Sequence, residues 1–215
     1  ITHSDVTVAE HIGFRTVRTQ GKQILLNGKP VFLRGICIHE EFPLNGGGRV
    51  NTAEKAKQLL LWAKELNCNF VRLAHYPHSE AMTRLADELG VLVWSEVPVY
   101  WTIDWTNAET YQNAQSQLSD NIERDANRAS IIIWSLANET PVSEPRTKFL
   151  SKLAERARSL DKTRLLSAAM EKHSKPGAAN VNIVQDPLAD LVDLVAFNQY
   201  VGWYDGLPEK CGKVS

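Results

Sequence analysis

Between residues 131 and 139 the chain reads Ile131-Ile132-Ile133-Trp134-Ser135-Leu136-Ala137-Asn138-Glu139. Three isoleucines followed by Trp134 and Leu136 leave no face for water. The segment therefore predicts a strand covered on both sides, as in a parallel α/β sheet. It ends in a polar pair, Asn138-Glu139. In a parallel barrel the carboxyl ends of the strands carry the chemistry. A carboxylate there can protonate a leaving group if its surroundings keep it neutral near pH 7. The plainer alternative is that Glu139 caps the helix after Pro145 or faces solvent, and this stretch alone leaves both open.

The rest of the chain repeats the pattern. Asn27-Gly28 between Ile24-Leu25-Leu26 and Val31-Phe32-Leu33 signals a tight hairpin. A first barrel-type strand then runs from Arg34 to Ile38 and ends at His39-Glu40-Glu41. Thr52 can cap a helix whose apolar face is Ala56, Leu59, Leu60, Ala63 and Leu66. Further strands are expected at Asn69–Ala74, ending in His75, and at Val91–Trp94, ending at Glu96. Others follow at Ile131, at Arg164–Ala169 and at Leu194–Asn198. Between them, helices are expected from Ser79 to a Gly90 stop, from about Ala108 to Asn127, and from Pro145 to about Leu160.

Six strands alternating with helices match the spacing that right-handed βαβ crossovers need. His39, His75, Glu96, Glu139, Glu171 and Asn198 fall at successive strand ends. An open doubly wound sheet gathers its binding residues at one switch point. Recurrence at every strand end favours a (β/α)8 barrel instead. A whole barrel takes about 250 residues, so this chain is expected to hold about six βα units, with two strands missing. Open strand edges of that kind would limit solubility.

Composition narrows the function classes. The 215 residues are 43% hydrophobic and 23% charged, with 24 Lys plus Arg against 25 Asp plus Glu. This balance carries no basic stripe for nucleic acid, and no apolar stretch approaches a membrane span. Cys37, Cys68 and Cys211 match neither a disulfide framework nor a zinc pattern, and the first two are expected in the core. His39 with Glu40 and Glu41, or His75 with His78, lacks the spacing of a metal site, so neither metal nor cofactor is expected. Asn45-Gly46-Gly47-Gly48 is read as a rim loop, because no GKS or GKT follows. The chain opens on Ile1 with no visible signal peptide, so it reads as cut from something longer, of unknown compartment.

Several motifs carry a resemblance. Arg72-Leu73-Ala74-His75-Tyr76-Pro77, followed by Asp87 and Gly90, resembles the first signature of glycoside hydrolase family 2. That family includes β-galactosidases, β-glucuronidases and β-mannosidases. Asn127-Arg128-Ala129-Ser130, the isoleucines, Trp134-Ser135 and Asn138-Glu139 resemble its second signature. Ala126 departs from it, where the family more often has a basic residue or Trp. Asn198-Gln199-Tyr200-Val201-Gly202-Trp203-Tyr204 is similar to the sixth-strand motif of the β-glucuronidase-like branch. Gly13-Phe14-Arg15 and Leu26-Asn27-Gly28-Lys29-Pro30 resemble the junction between a sandwich domain and the barrel. Residues 1–18 are accordingly expected to be the tail of a preceding β-sandwich domain, and 19–215 the first two-thirds of the barrel.

The resemblance implies a retaining β-glycosidase acting on terminal β-linked sugars, β-glucuronide or β-galactoside. Glu139 would be the general acid and then the general base, with Asn138 on the sugar 2-hydroxyl. Arg72 and Tyr200 would hold a nucleophilic carboxylate ionised, His75 and His39 would line the pocket, and Asn198 would support it. Trp203 would offer an aromatic face to the sugar, while Trp94 and Trp134 are read as core. Glu96 is read as supporting the site from behind or at its rim. The nucleophile would be a Glu at the end of a seventh strand, beyond Ser215, so the 215 residues alone would be inactive. A homo-oligomer is expected of the full-length parent. The competing class is a carbohydrate-binding relative that kept the pocket and lost hydrolysis.

Overall fold

A computed structural model describes residues 10–44, 47–50 and 52–204. It begins with three short strands, β1 (Val17–Gln20), β2 (Gln23–Leu26) and β3 (Lys29–Val31), paired antiparallel. The turn between β2 and β3 places Asn27 and Gly28 at φ 51° and 76°. Positive φ at both central residues is the I′ geometry for which Asn-Gly is suited.

Six parallel strands follow: β4 (Gly35–Ile38), β5 (Phe70–Leu73), β6 (Leu92–Glu96), β7 (Ile131–Asn138), β8 (Leu165–Met170) and, after a hairpin, β11 (Leu194–Phe197). Their order in the sheet is β11-β8-β7-β6-β5-β4. Each strand lies beside its predecessor in the chain and the order never reverses. There is thus no switch point, and the sheet is an open portion of a (β/α) barrel.

Helices α1 (Ala53–Glu65), α2 (Glu80–Leu89), α3 (Ala108–Arg124) and α4 (Glu144–Leu160) fill the first four crossovers. Their ends follow local chemistry. Thr52 Oγ1 accepts from the Lys55 N–H, and Gly90 closes α2 at φ 67°, a left-handed cap open to glycine at little cost. Ser143 Oγ caps α4 by accepting from the Arg146 N–H, so Glu139 is not the cap of that helix. The crossover from β8 to β11 departs from the expected alternation. It carries the hairpin β9 (His173–Lys175) and β10 (Ala178–Ile183) and a single 3-10 turn, Pro187–Asp190, instead of an α-helix. Among the described residues no helix is long and apolar enough to cross a membrane.

All eight residues of β7 are buried, with the three isoleucines at 1% exposure or less. Each such side chain contributes about 1.5–3 kcal/mol relative to an exposed one, which makes β7 the centre of the sheet. One core layer lies between sheet and helices. A second, inside the curve of the barrel, joins Trp94, Ile132, Ile133 and Leu165, with Val17, Ile24 and Leu33 packed against it. The β1–β3 sheet thus closes the amino-terminal end of the barrel. Arg15 fastens it there by donating to the carbonyls of Ala129 and Ile131 at 3.1 and 2.8 Å.

Cys37 corrects an expectation. It is exposed on the inner face of β4, in register with Arg72, because β4 is the edge strand of the six. Cys68 is partly buried against the outer core as expected, and Cys211 lies outside the described residues.

Candidate active site

At the carboxyl ends of β5, β6, β7 and β11 seven polar side chains meet. Arg72 is the hub, at 8% exposure. Its Nε donates to Glu96 Oε2 and its Nη2 to Glu96 Oε1, both at 2.9 Å, a two-pronged pair in which Glu96 is fully buried. Arg72 Nη1 donates to Asn198 Oδ1 at 2.8 Å, and Nη2 also to Asn138 Oδ1 at 2.6 Å. Such forked contacts to a carboxylate and two amide oxygens suit a planar guanidinium. The partner of this buried arginine is thus a strand-end carboxylate.

Period-two alternation brings Arg72 and Glu96 to one face, and a register irregularity in β7 between Ser135 and Asn138 precedes the third member. Cys37, Arg72, Trp94 and Ile133 stand in register across four parallel strands and share the inner face. Two residues further along β6, Glu96 points the same way. Burial opposes its ionisation, but the hydrogen bond from His75 and the Arg72 charge outweigh it and hold Glu96 below the usual carboxylate range. Glu96 is therefore a buried anion behind the site and not a rim residue.

Hydrogen-bond bookkeeping then orients the neighbours. Ionised Glu96 accepts, so the 2.8 Å contact from His75 Nδ1 is a donated N–H, which leaves the other ring nitrogen, Nε2, for a further partner. Asn138 Oδ1 takes hydrogen bonds from Arg72 and from Asn198 Nδ2, the latter at 3.0 Å. With its oxygen doubly occupied, Asn138 has its amide N–H groups left to offer, as donors.

Glu139 follows at φ 48°, in the left-handed region that few non-glycine residues adopt. Its conformation is held from both sides. The Glu139 N–H donates to the Ala169 carbonyl at 2.7 Å, the Asn138 N–H to Val99 O at 2.9 Å, and the Trp101 N–H to Asn138 O at 3.1 Å. Residues in such conformations cluster at functional sites. Tyr200 O–H donates to Glu139 Oε1 at 2.5 Å and lies 3.3 Å from Asn198 Nδ2. Burial, and then the hydrogen bond to Glu139, push the Tyr200 hydroxyl up to about 12.

Other strand-end carboxylates have other duties. Glu40, buried, accepts from the Ser79 N–H at the start of α2 and from Arg49 Nε at 3.0 Å. Glu171 is exposed. Glu139 is half-buried, and its recorded partner is a neutral phenol.

Arg72, His75, Glu96, Asn138, Glu139, Asn198 and Tyr200, each singled out from sequence, form one cluster. His39 stands beside it, edge-on to the His75 ring with centroids 5.3 Å apart. Trp203 is 77% exposed; its backbone N–H donates to the Tyr200 carbonyl at 2.9 Å, and its ring meets Tyr204, which in turn meets Tyr200 ring to ring. Trp105 packs edge-on against Phe149, away from the cluster's hydrogen bonds. Three participants escaped the sequence reading. Trp94 Nε1 donates to Glu96 Oε2 at 2.8 Å, and Tyr100 flanks His75. Arg146, fully buried, donates to Thr140 Oγ1 and to both oxygens of Asp186, bracing the loop after Glu139. Strand parity could have revealed Trp94, two residues before Glu96. The distant partners of Arg146 leave no local signal. Among the described residues no three His, Cys, Asp or Glu side chains gather as metal ligands do.

Known proteins share this arrangement of chain. A β-glucuronidase of Paenibacillus borealis is 33% identical over 213 residues, spanning 90% of this chain and 33% of its own. One of Streptococcus agalactiae is 32% identical over 219 residues, spanning 91% and 34%. The chain thus covers about a third of the length of these curated relatives. Among solved structures, Ruminococcus gnavus β-glucuronidase in complex with D-glucaro-d-lactam superposes with a TM-score of 0.80 at 33% identity, over 95% of this chain and 34% of that one. The same enzyme in complex with D-glucuronic acid gives 0.79 at 32% identity, over 95% and 34%. The family described as glycosyl hydrolases family 2, TIM barrel domain, matches residues 17–213. The chain belongs to that family.

Proposed function

We propose that this chain supplies the acid/base half of a retaining β-glycosidase, with β-glucuronides as first substrates and β-galactosides as second. One observation carries the reading: a strand-end carboxylate, Glu139, stands beside an amide, Asn138, whose oxygen is filled by two hydrogen bonds so that its N–H groups are what it has left to offer. Glu139 protonates the leaving oxygen, then deprotonates the water that releases the sugar. Asn138 donates to the sugar 2-hydroxyl oxygen, a contact that strengthens as the oxocarbenium-like transition state forms. His75 offers Nε2 to a second hydroxyl.

The retaining pathway needs a second carboxyl group about 5–5.5 Å away. Glu40 and Glu96 are committed to Arg49 and Arg72, and Glu171 points to solvent. The nucleophile in this proposal is therefore a carboxylate from outside the six strands, with Arg72 and Tyr200 bordering it. Residues 1–18 are read as the tail of a preceding β-sandwich domain. The glucuronidase relatives favour an acid sugar over a neutral one.

The full-length protein is given nitrophenyl β-glucuronide and β-galactoside, and the first anomer formed is followed by proton NMR. Retention, with a rate loss of about 10²–10⁴ in Glu139→Gln, is the expected result. Inversion, or an undiminished variant, overturns it. Sugar binding without turnover moves the protein to the non-hydrolytic class.

A further inference from the structure

Trp94 has no place in the roles just given. It lies inside the barrel among Ile132, Ile133 and Leu165, 7% exposed, where an aliphatic side chain would also fill space. Its polar edge is what distinguishes it. The indole N–H donates to Glu96 Oε2 at 2.8 Å, and the ring lies under the Arg72 guanidinium, with Cζ 5.3 Å from the centroid. Glu96 thereby takes four donors, two on each oxygen: Trp94 Nε1 and Arg72 Nε on Oε2, Arg72 Nη2 and His75 Nδ1 on Oε1. A buried carboxylate short of one donor would tilt toward its remaining partners, and the guanidinium paired with it would tilt too. Arg72 is the group whose outer N–H donates to Asn138 Oδ1.

We propose that Trp94 is a positioning residue for sugar recognition: through Glu96 and Arg72, its indole N–H and ring hold the Asn138 amide in the orientation that donates to a sugar hydroxyl. The inference rests on the glycosidase reading above. Trp94 touches no substrate. Its effect passes along the chain Trp94 to Glu96 to Arg72 to Asn138, and it ends when Asn138 is gone.

The test is a double-mutant cycle in the full-length protein with nitrophenyl β-glucuronide. Trp94→Phe keeps an aromatic ring beneath Arg72 and removes the donor. It is expected to lower kcat/KM about tenfold, the size of one charge-assisted hydrogen bond. In an Asn138→Ala background the same replacement is expected to change kcat/KM by less than about twofold, because coupled residues are not additive. A tenfold loss that persists without Asn138 shows that Trp94 does not act through that amide and overturns the proposal. So does a Trp94→Phe protein equal to wild type. Where phenylalanine leaves a chain that does not fold, benzothienylalanine at position 94 runs the same cycle, since it keeps the two-ring shape and lacks the N–H. Turnover by the wild type separately tests the glycosidase reading. Should the wild type not turn over, affinity for methyl β-glucuronide by calorimetry replaces kcat/KM. Non-additivity with Asn138 then supports the positioning role and additivity overturns it.

Discussion

The Tyr200 hydroxyl donates to Glu139 Oε1 at 2.5 Å, tying the loop after β11 to the end of β7. Its hydroxyl, pushed up to about 12 by burial and by Glu139, stays a donor through ordinary assay conditions. Tyr200→Phe is expected to lower kcat in the full-length protein about tenfold. The alkaline limb of its pH–rate profile, followed to about pH 10, should keep the wild-type position. An alkaline limb that moves would show that Tyr200 itself titrates there.

Arg72→Lys keeps one positive charge and gives up the fork. An ammonium cannot hold Glu96 on two prongs while donating to Asn138 and Asn198. A loss in kcat/KM of at least about tenfold is expected. The wild-type pair contributes stability above the ordinary carboxylate pKa, because Glu96 is held below it. That contribution fades only as pH falls through the lowered value. Urea midpoints of wild type and Arg72→Lys should therefore differ at neutral pH and converge in acid.

Asp161 gives a second, independent acid transition at the other end of β7. Against its burial, hydrogen bonds from Trp134, Thr163 and Arg164 bring its pKa from 3.8 to about 2. A carboxyl group lowered on folding stabilises the native state above its unfolded pKa and ceases to do so as pH falls through the folded one. Asp161→Asn should lose about 2 kcal/mol at pH 7. The deficit should shrink between about pH 4 and pH 2 in denaturant titrations.

The 215 residues expressed alone should show no release of nitrophenol from aryl β-glucuronide. Each strand-end carboxylate besides Glu139 is either committed to an arginine or directed to solvent. Turnover by this piece would mean that Glu96 or Glu171 serves as nucleophile.

Much of this was legible in the residues. Apolar runs located the six parallel strands, Thr52 and Gly90 marked helix ends, and the polar residue after each run pointed to one end of the barrel. What escaped was whatever depends on partners distant in the chain. The segment between β8 and β11 has no helical periodicity to betray its hairpin. Cys37 sits in an apolar run that would be core in a central strand but is bare on an edge. Trp94 looked like filler because its apolar surface hides one N–H, whose acceptor only strand parity places within reach.

The left-handed Glu139 has a bearing on how such a protein could be altered. Its backbone is stitched to Ala169, and that of Asn138 to Val99 and Trp101, so the turn at residues 99–101 belongs mechanically to the proposed proton donor. A change of substrate range made by exchanging the whole loop from Val97 to Trp105 would displace the acid along with the rim. Variation beginning at Thr102 would leave those stitches in place. Under the proposed role of Glu139, selectivity and proton delivery can drift apart only on the far side of that turn.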